Sequence, residues 1–402
     1  MEQVLSDVKI LDLSWYITGP YCAKILADYG ADIIKVEKPG EGDPARAMGP
    51  FHNDEPHPEK SGLFLHLNTN KRGITLNLKS KTGKKIIKEL VSDVDILINS
   101  FSPGVMERLG LSFDELIKIN PKLVMTSISN FGQTGPYRDY KSNDLISYAM
   151  GGSMLSTGIP SREPVNLARN IKMYECGWLA ATATLGVWMG TYRDGIGDHI
   201  DFSIMEALSG STDRRSAQLL GYNYCGNASP RLDPKNLRRF FIPTNVFPVK
   251  DDWVLPSIVP ARWPAFAKAL GRPELVKDPR FKDISDTSKA QDLDDIFREW
   301  IGDKDKEEVC SEMQSLGSAV TPINTPADIM NSEHFKERGF WVEIDHPATG
   351  KLTYPGAPID MSDGGFAIRR PAPLLGQYNQ EVYENLGYTK EDLITLRGQK
   401  VI

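Results

Sequence analysis

An α/β fold, an open sheet of parallel strands flanked by helices, is what residues 1–130 of this chain predict. Two observations carry the prediction. Short apolar runs alternate with stretches of helical period, and the first strand, helix and strand fit within about thirty residues, the size of a βαβ unit. A third observation concerns size: at 402 residues the chain exceeds one ordinary core, so a smaller second domain is expected beside the first.

Val8 to Leu13 reads as a buried strand. After Gly19-Pro20 the apolar residues Cys22, Ile25, Leu26 and Tyr29 recur at helical spacing, Gly30 closes that helix, and Asp32 to Val36 forms the second strand. Strands joined this way pair in parallel through a right-handed crossover. Ile74 to Leu78 reads as the third strand, Thr82 to Val91 as an amphipathic helix and Ile96 to Asn99 as the end of another strand. Ser112 and Glu115 have the spacing of a capping box ahead of Leu116 and Ile117, and Leu123 to Ile128 follows as a further strand. Open α/β sheets bind ligands at the carboxyl ends of their strands, which singles out the turns after Leu13, Val36 and Asn99.

The run YECGWLAATATLGVWMGTY, Tyr174 to Tyr192, is apolar on nearly every face, the pattern of a fully buried core helix, and Gly195 closes it. Residues 1–225 are therefore assigned to the large domain. Residues 226–243, rich in Pro, Asn and Arg and without a period, form a linker. A small α+β domain over 244–325 starts with the strand-like VFPVKDDWVLPSIV and continues with helices at Trp263 to Leu270 and Leu293 to Trp300. In the last segment, 326–402, Phe340 to Ile344 and Lys351 to Tyr354 make a hairpin around Pro347 to Gly350, and a helix lies near Asn379 to Leu386.

Composition narrows the function. The formal net charge of -6 argues against a nucleic-acid footprint but leaves room for local basic clusters that meet small anions. No apolar run approaches the roughly 18 residues that a membrane span needs. The opening MEQVLSDVKILDLS is acidic and runs straight into a strand, so no export signal is expected and the cytoplasm is the expected compartment. Cys22, Cys176, Cys225 and Cys310 are too scattered for a metal site, and no HExxH is present, so no metal is expected. GxGxxG after the first strand, GxxxxGK[ST] and GxSxG are absent as well, which disfavours dehydrogenases, nucleotide hydrolases and serine hydrolases. What remains is a set of cations placed at the predicted ligand edge: Lys38, Lys71, Arg72, Arg108 and Lys141. A phosphorylated ligand would use them as point charges and forks.

Five segments, in order along almost the whole chain, sharpen this reading: LDLSWYITGPYCAKILADYGADIIKVEKPGEGDPAR, LNTNKRGITLNL, FSPGVMERLG, SISNFGQTGPY and APLLGQYNQEV. Together they resemble the family III, formyl-CoA transferase-like, CoA-transferases. The resemblance implies a Rossmann-like large domain built from both chain ends, a small domain between long linkers, and two subunits interlocked as a dimer. It implies coenzyme A or acyl-CoA as substrate with a carboxylic acid as acceptor. The family's CoA contacts fall on Lys38, Lys71, Arg72, Phe101, Arg108 and Lys141, with Trp15 to Ile17 along the pantetheine and acyl region.

The family's nucleophile is an aspartate whose carboxylate attacks the thioester and forms a mixed anhydride. Here the run PVNLARN, Pro164 to Asn170, puts Asn170 at that position, and no Asp lies between Asp144 and Asp194. Counting back from Gly195 without insertions puts Met173 there instead, and Glu175 is then the nearest acid. An amide cannot form the anhydride. The expectation is a subunit that works with a homologous catalytic chain in a heteromer. The alternatives are a self-sufficient transferase, which could pair with itself, using Glu175; an acyl-CoA racemase, disfavoured because Asn143 replaces the histidine of that branch; and a non-enzymatic CoA-binding protein. In the small domain, NLRRFFIPTNVF replaces a glycine-rich loop, and Arg238 and Arg239 could meet a dicarboxylate or a partner chain.

Overall fold

The computed structural model describes residues 3–210, 215–226 and 242–402. Arg238 and Arg239 lie outside the described residues. The chain divides into two compact units, one of Met1–Thr157, Val165–Ser229 and Gly339–Ile402, the other of Gly158–Pro164 and Pro230–Arg338.

The first unit is built on β1 (Lys9–Asp12), β2 (Asp32–Glu37), β3 (Lys71–Thr75), β4 (Ile96–Asn99), β5 (Val124–Ser129) and β6 (Asp198–Ser203). All five pairings are parallel, in the order β3-β2-β1-β4-β5-β6. Crossover helices include α1 (Thr18–Asp28), α2 (Gly62–Leu67) and α3 (Lys81–Val91), followed by α4 (Val105–Leu109), α5 (Phe113–Leu116), α6 (Asp144–Met150) and α7 (Ile171–Asp194). A parallel sheet buried on both faces needs apolar residues at consecutive positions, and the strands supply them. Ile10, Ile33, Ile96, Ile98 and Val124 pack with α1 and α7. Their strand neighbours Leu11, Leu97 and Met125 pack on the other face with Ile86, Ile87 and Leu90 of α3. The C-terminal segment completes that second face: Val382, Tyr383, Leu393 and Leu396 join it, and the Tyr383 hydroxyl donates to Thr75 O at 2.6 Å.

Helices α1 and α7 approach closely because Gly177 lacks a Cβ, which would stand 2.9 Å from Tyr21 and 3.0 Å from Thr18 O. The sequence-based picture of α7 as fully buried needs correction. Met173, Cys176, Ala180, Ala181 and Thr184 are buried, but Met189 and Tyr192 are 61% and 76% exposed. The helix covers the sheet with one face, and its other apolar face is uncovered in the isolated chain.

Three further expectations change. The third strand runs over Lys71–Thr75 rather than Ile74 to Leu78. The cause is Lys71, which enters the core fully buried because its ammonium donates to Asp12 Oδ2, Pro20 O and Asn68 Oδ1 at 2.9, 2.9 and 3.0 Å. No capping box forms at Ser112, whose side chain caps nothing, since Glu115 pairs with Lys118 at 2.7 Å instead. A second C-terminal helix, Lys390–Gly398, follows the expected one and starts from a true capping box of Thr389 and Asp392. The hairpin is formed as read, with Trp341–His346 antiparallel to Gly350–Pro355.

The second unit holds a three-stranded antiparallel sheet of Phe247–Pro248, Trp253–Pro256 and Val320–Pro322. Helices Trp263–Ala269, Ala290–Ile301 and Lys306–Ser315 enclose a core around Phe247, Phe266, Phe281 and Phe297.

Candidate active site

The strand order reverses between β1 and β4, so the connections leaving their carboxyl ends go to opposite sides and open a crevice. A cavity of about 860 Å³ lies there. Its walls are Trp15 to Thr18 after β1, Ser100 to Pro103 after β4, and Ile128 to Asn130 at the end of β5. Residues 138–145, with Asn166, Arg169, Asn170 and Met173, close the remaining side.

The loop after β1 is held by buried charges. Asp12 accepts the Ser14 amide at 2.9 Å and is paired with Lys71 at 2.9 Å. Lys35 donates to Ser14 O at 2.9 Å and pairs with Asp43 at 2.8 Å, and Asp43 in turn accepts the Tyr16 amide at 3.1 Å. Burial pushes the Asp12 carboxyl up, but Lys71, Lys35 and the Ser14 hydroxyl together hold it below its ordinary value. Burial lowers the Lys71 ammonium to about 8 against the pull of Asp12. Such a lattice is rigid because loss of one partner leaves a buried charge unpaired. It fixes Tyr16 in a left-handed conformation, φ 66°, beside the cavity.

The aromatic wall is Trp15 edge-on to Phe101, with ring centroids 5.7 Å apart. The Trp15 amide donates to Ser100 Oγ at 2.8 Å, which ties the two strand ends together. Asn170 caps α7 from a left-handed conformation, φ 65°. Its amide donates to Asp144 Oδ2 at 3.2 Å, and its carbonyl accepts the Met173 amide at 2.9 Å. Met173 is 8% exposed, with its sulfur 3.5 Å from Thr18 Oγ1. Asn143 accepts the Ile146 amide at 3.0 Å as the N-cap of α6.

Of the residues singled out from sequence, the cavity brings together Trp15, Ile17, Phe101, Arg108, Lys141 and Asn170. Four do not line it. Lys38 pairs with Glu41 at 2.5 Å, and Glu175 pairs with Lys172 at 2.8 Å. Lys71 and Arg72 open β3, and in a parallel strand the first residues lie toward the edge opposite the crevice. Lys71 is committed to Asp12, and Arg72 to Asp32 and Glu381 at 2.5 and 2.9 Å.

Sequence reasoning passed over Arg138, Asp144 and Arg169, which line the cavity, and reached Tyr16 only as part of the stretch Trp15 to Ile17. Arg138 lies three residues before Lys141 and directly follows the segment SISNFGQTGPY, and Arg169 directly precedes Asn170 within PVNLARN. A Cβ on Gly104, φ +78°, would stand 2.9 Å from Arg108 Nη1 and 3.2 Å from Arg138 Nη2. Two guanidinium groups thus converge over one glycine. Among the described residues, no carboxylate pairs with Arg108, Lys141 or Arg169, and Arg138 has Asp139 only at 3.9 Å. Cations gathered without counterions, beside aromatic walls, suit an anion carrying an organic body.

The four cysteines are free. Burial pushes the Cys22 and Cys176 thiols up to about 12, which leaves them unreactive. Among the described residues no group of three or more His, Cys, Asp or Glu could hold a metal ion, and no helix is long and apolar enough to cross a membrane.

The sequence model described as CoA-transferase family III matches residues 5–379. A succinyl-CoA–D-citramalate CoA-transferase of Chloroflexus aurantiacus is 32% identical over 99% of this chain and 98% of its own length. The beta subunit of a succinyl-CoA–L-malate CoA-transferase of the same organism is 31% identical, with the same coverage. Among solved structures, a CAIB/BAIF family protein from Brucella suis superposes with a TM-score of 0.84, at 27% identity over 96% of this chain and all of the other.

Proposed function

The chain belongs to CoA-transferase family III, and from that membership we propose that it is one subunit of an enzyme moving CoA from an acyl-CoA donor to a carboxylic acid, with a homologous chain supplying the nucleophilic aspartate. The observation that carries the division of labour is the side chain at the reacting end of the cavity. Asn170 and Met173 line it, on the two placements of the family nucleophile, and neither an amide nor a thioether can attack a thioester to form an anhydride. Of the acids that line the cavity, Asp139 is solvent-facing beside Arg138, and Asp144 holds the Asn170 amide at the start of α7. Glu175 is turned to Lys172 outside the lining.

Coenzyme A is the cofactor-like substrate. Arg108 and Arg138 take its phosphates, Lys141 adds charge, and Trp15, Ile17 and Phe101 contact the pantetheine and acyl region. The relatives named for succinyl-CoA make it our candidate donor. The acceptor is a dicarboxylic acid, and the aromatic wall suits an arylated one such as benzylsuccinate. One relative carries the name of a beta subunit, which agrees with a chain that works beside an unlike partner. The partner interlocks with this chain and covers the open face of α7. The four free thiols suit a reducing cytoplasm.

Coexpression with a homologous chain that has the aspartate, followed by assay of each chain alone and of both together, tests the reading. Transfer by the pair alone, with the acyl label on the partner, is the expected result. An acyl adduct on any carboxylate of this chain in isolation, Asp144 and Glu175 included, refutes it.

A further inference from the structure

Besides Lys141, the positive charge of the cavity comes from three arginines that fall into two groups. Arg108 and Arg138 converge over Gly104 in the connection after β4. Arg169 stands apart in sequence, on the stretch entering α7, between Asn166 and Asn170 and one turn before the buried Met173, and all four residues line the cavity. Among the described residues no carboxylate pairs with the Arg169 guanidinium. The cavity's own acids have other partners: Asp144 accepts the Asn170 amide, and Asp139 stands beside Arg138. Diphosphate recognition accounts for the arginine pair but leaves the unpaired Arg169 in the same wall as Asn170 and Met173, the two placements of the family nucleophile.

We infer that Arg169, assisted by the Asn166 amide, is a carboxylate subsite that receives the distal end of a dicarboxylic acyl group. The inference rests on the CoA-binding reading above. A guanidinium fork matches a carboxylate with two parallel N–H···O bonds, and an acyl chain ending in a methyl group would leave that fork without a partner. The subsite therefore discriminates by the far end of the acyl chain, and the phosphates supply the common affinity.

Calorimetry on the full chain with CoA, succinyl-CoA and butyryl-CoA tests this, because the two thioesters share a four-carbon chain and differ in its terminal carboxylate. Wild type is expected to bind succinyl-CoA about tenfold or more tightly than butyryl-CoA, the factor one charge-assisted hydrogen bond supplies. Arg169→Gln should bring the two affinities together while CoA itself binds as before, and Arg169→Lys should keep part of the preference. CoA binding without preference in wild type, or a preference that survives in Arg169→Gln, overturns the subsite alone. Failure of all three ligands to bind overturns the CoA reading and the subsite with it.

Discussion

Met173, beside Asn170, is one of the two residues that stand where the family's aspartate is expected. Its side chain is buried against Thr18 at the foot of the crevice, a dry position in which an anhydride would be kept from water. Asn170 is less buried and uses its backbone to start α7. Met173→Asp is therefore expected to give a covalent acyl adduct with succinyl-CoA, detected by mass spectrometry, and Asn170→Asp to give none. The reverse pattern would assign the lost nucleophile to Asn170. For the phosphates, Arg108→Ala and Arg138→Ala should each weaken CoA binding by about 1–3 kcal/mol, the range for a charge-assisted bond. Lys38→Ala serves as the comparison, since Lys38 is surface-paired with Glu41, and its CoA affinity should stay at the wild-type level. Equal losses in all three would mean that the field of the whole edge, rather than the pair over Gly104, attracts the ligand.

At the scale of elements, α2 meets α1 and α7 through an aromatic contact. His66 lies 6.3 Å from Tyr21 and 6.2 Å from Tyr174, ring centre to ring centre. Burial, and then the charge of Lys24, push its imidazole down to about 3. Its surface is partly open, so only the direction enters the prediction. The unfolded chain takes up this proton as pH falls below about 6.5 while the folded chain does not, so stability drops as pH decreases through that window. Unfolding free energies from urea titrations at about pH 7.5 and about pH 5.5 should differ by up to about 1.4 kcal/mol on this account. In His66→Gln the difference should shrink, and an unchanged difference would place the proton uptake elsewhere. The same elements show what was legible in sequence. β1, β2, β4 and β5 were readable because each holds a cluster of apolar residues between stretches of helical period, although Lys35 interrupts it in β2 and Thr126 and Ser127 in β5. β3 was misplaced because its first two residues are Lys71 and Arg72, and no local pattern tells that a lysine is buried against an aspartate 59 positions away in the chain, at Asp12. The turns after β1 and β4 followed from strand ends, Arg108 from the clustering of cations there, and Trp15 and Phe101 from the resemblance. Arg138 and Arg169 did not, since which loop cations converge is decided by folding of the turns, as over Gly104.

For the whole molecule, the uncovered side of α7 predicts an assembly. Trp178, Met189 and Tyr192 on that helix are open, as are Leu219, Leu220, Tyr222 and Tyr224 on the helix Arg215–Cys225. A helix apolar on all sides has a second surface to bury, and patches of this kind mark protein contacts. Light scattering should find no stable monomer, and an interlocked pair should bury well over the ~1,600 Å² of a standard interface. Replacing Met189 and Tyr192 by Glu should yield monomer or aggregate, and an unchanged, dissociable particle would remove α7 from the interface. The return of the C-terminal segment to the first unit has a consequence for biosynthesis. Tyr383 reaches Thr75, and Val401 O accepts the Asn77 amide at 2.7 Å. A ribosome must therefore extrude the intervening second unit before one face of the parallel sheet can be sealed. Until then the part of that apolar face which Val382, Tyr383, Leu393 and Leu396 cover waits for the end of translation, a hydrophobic surface that a holdase chaperone would recognise.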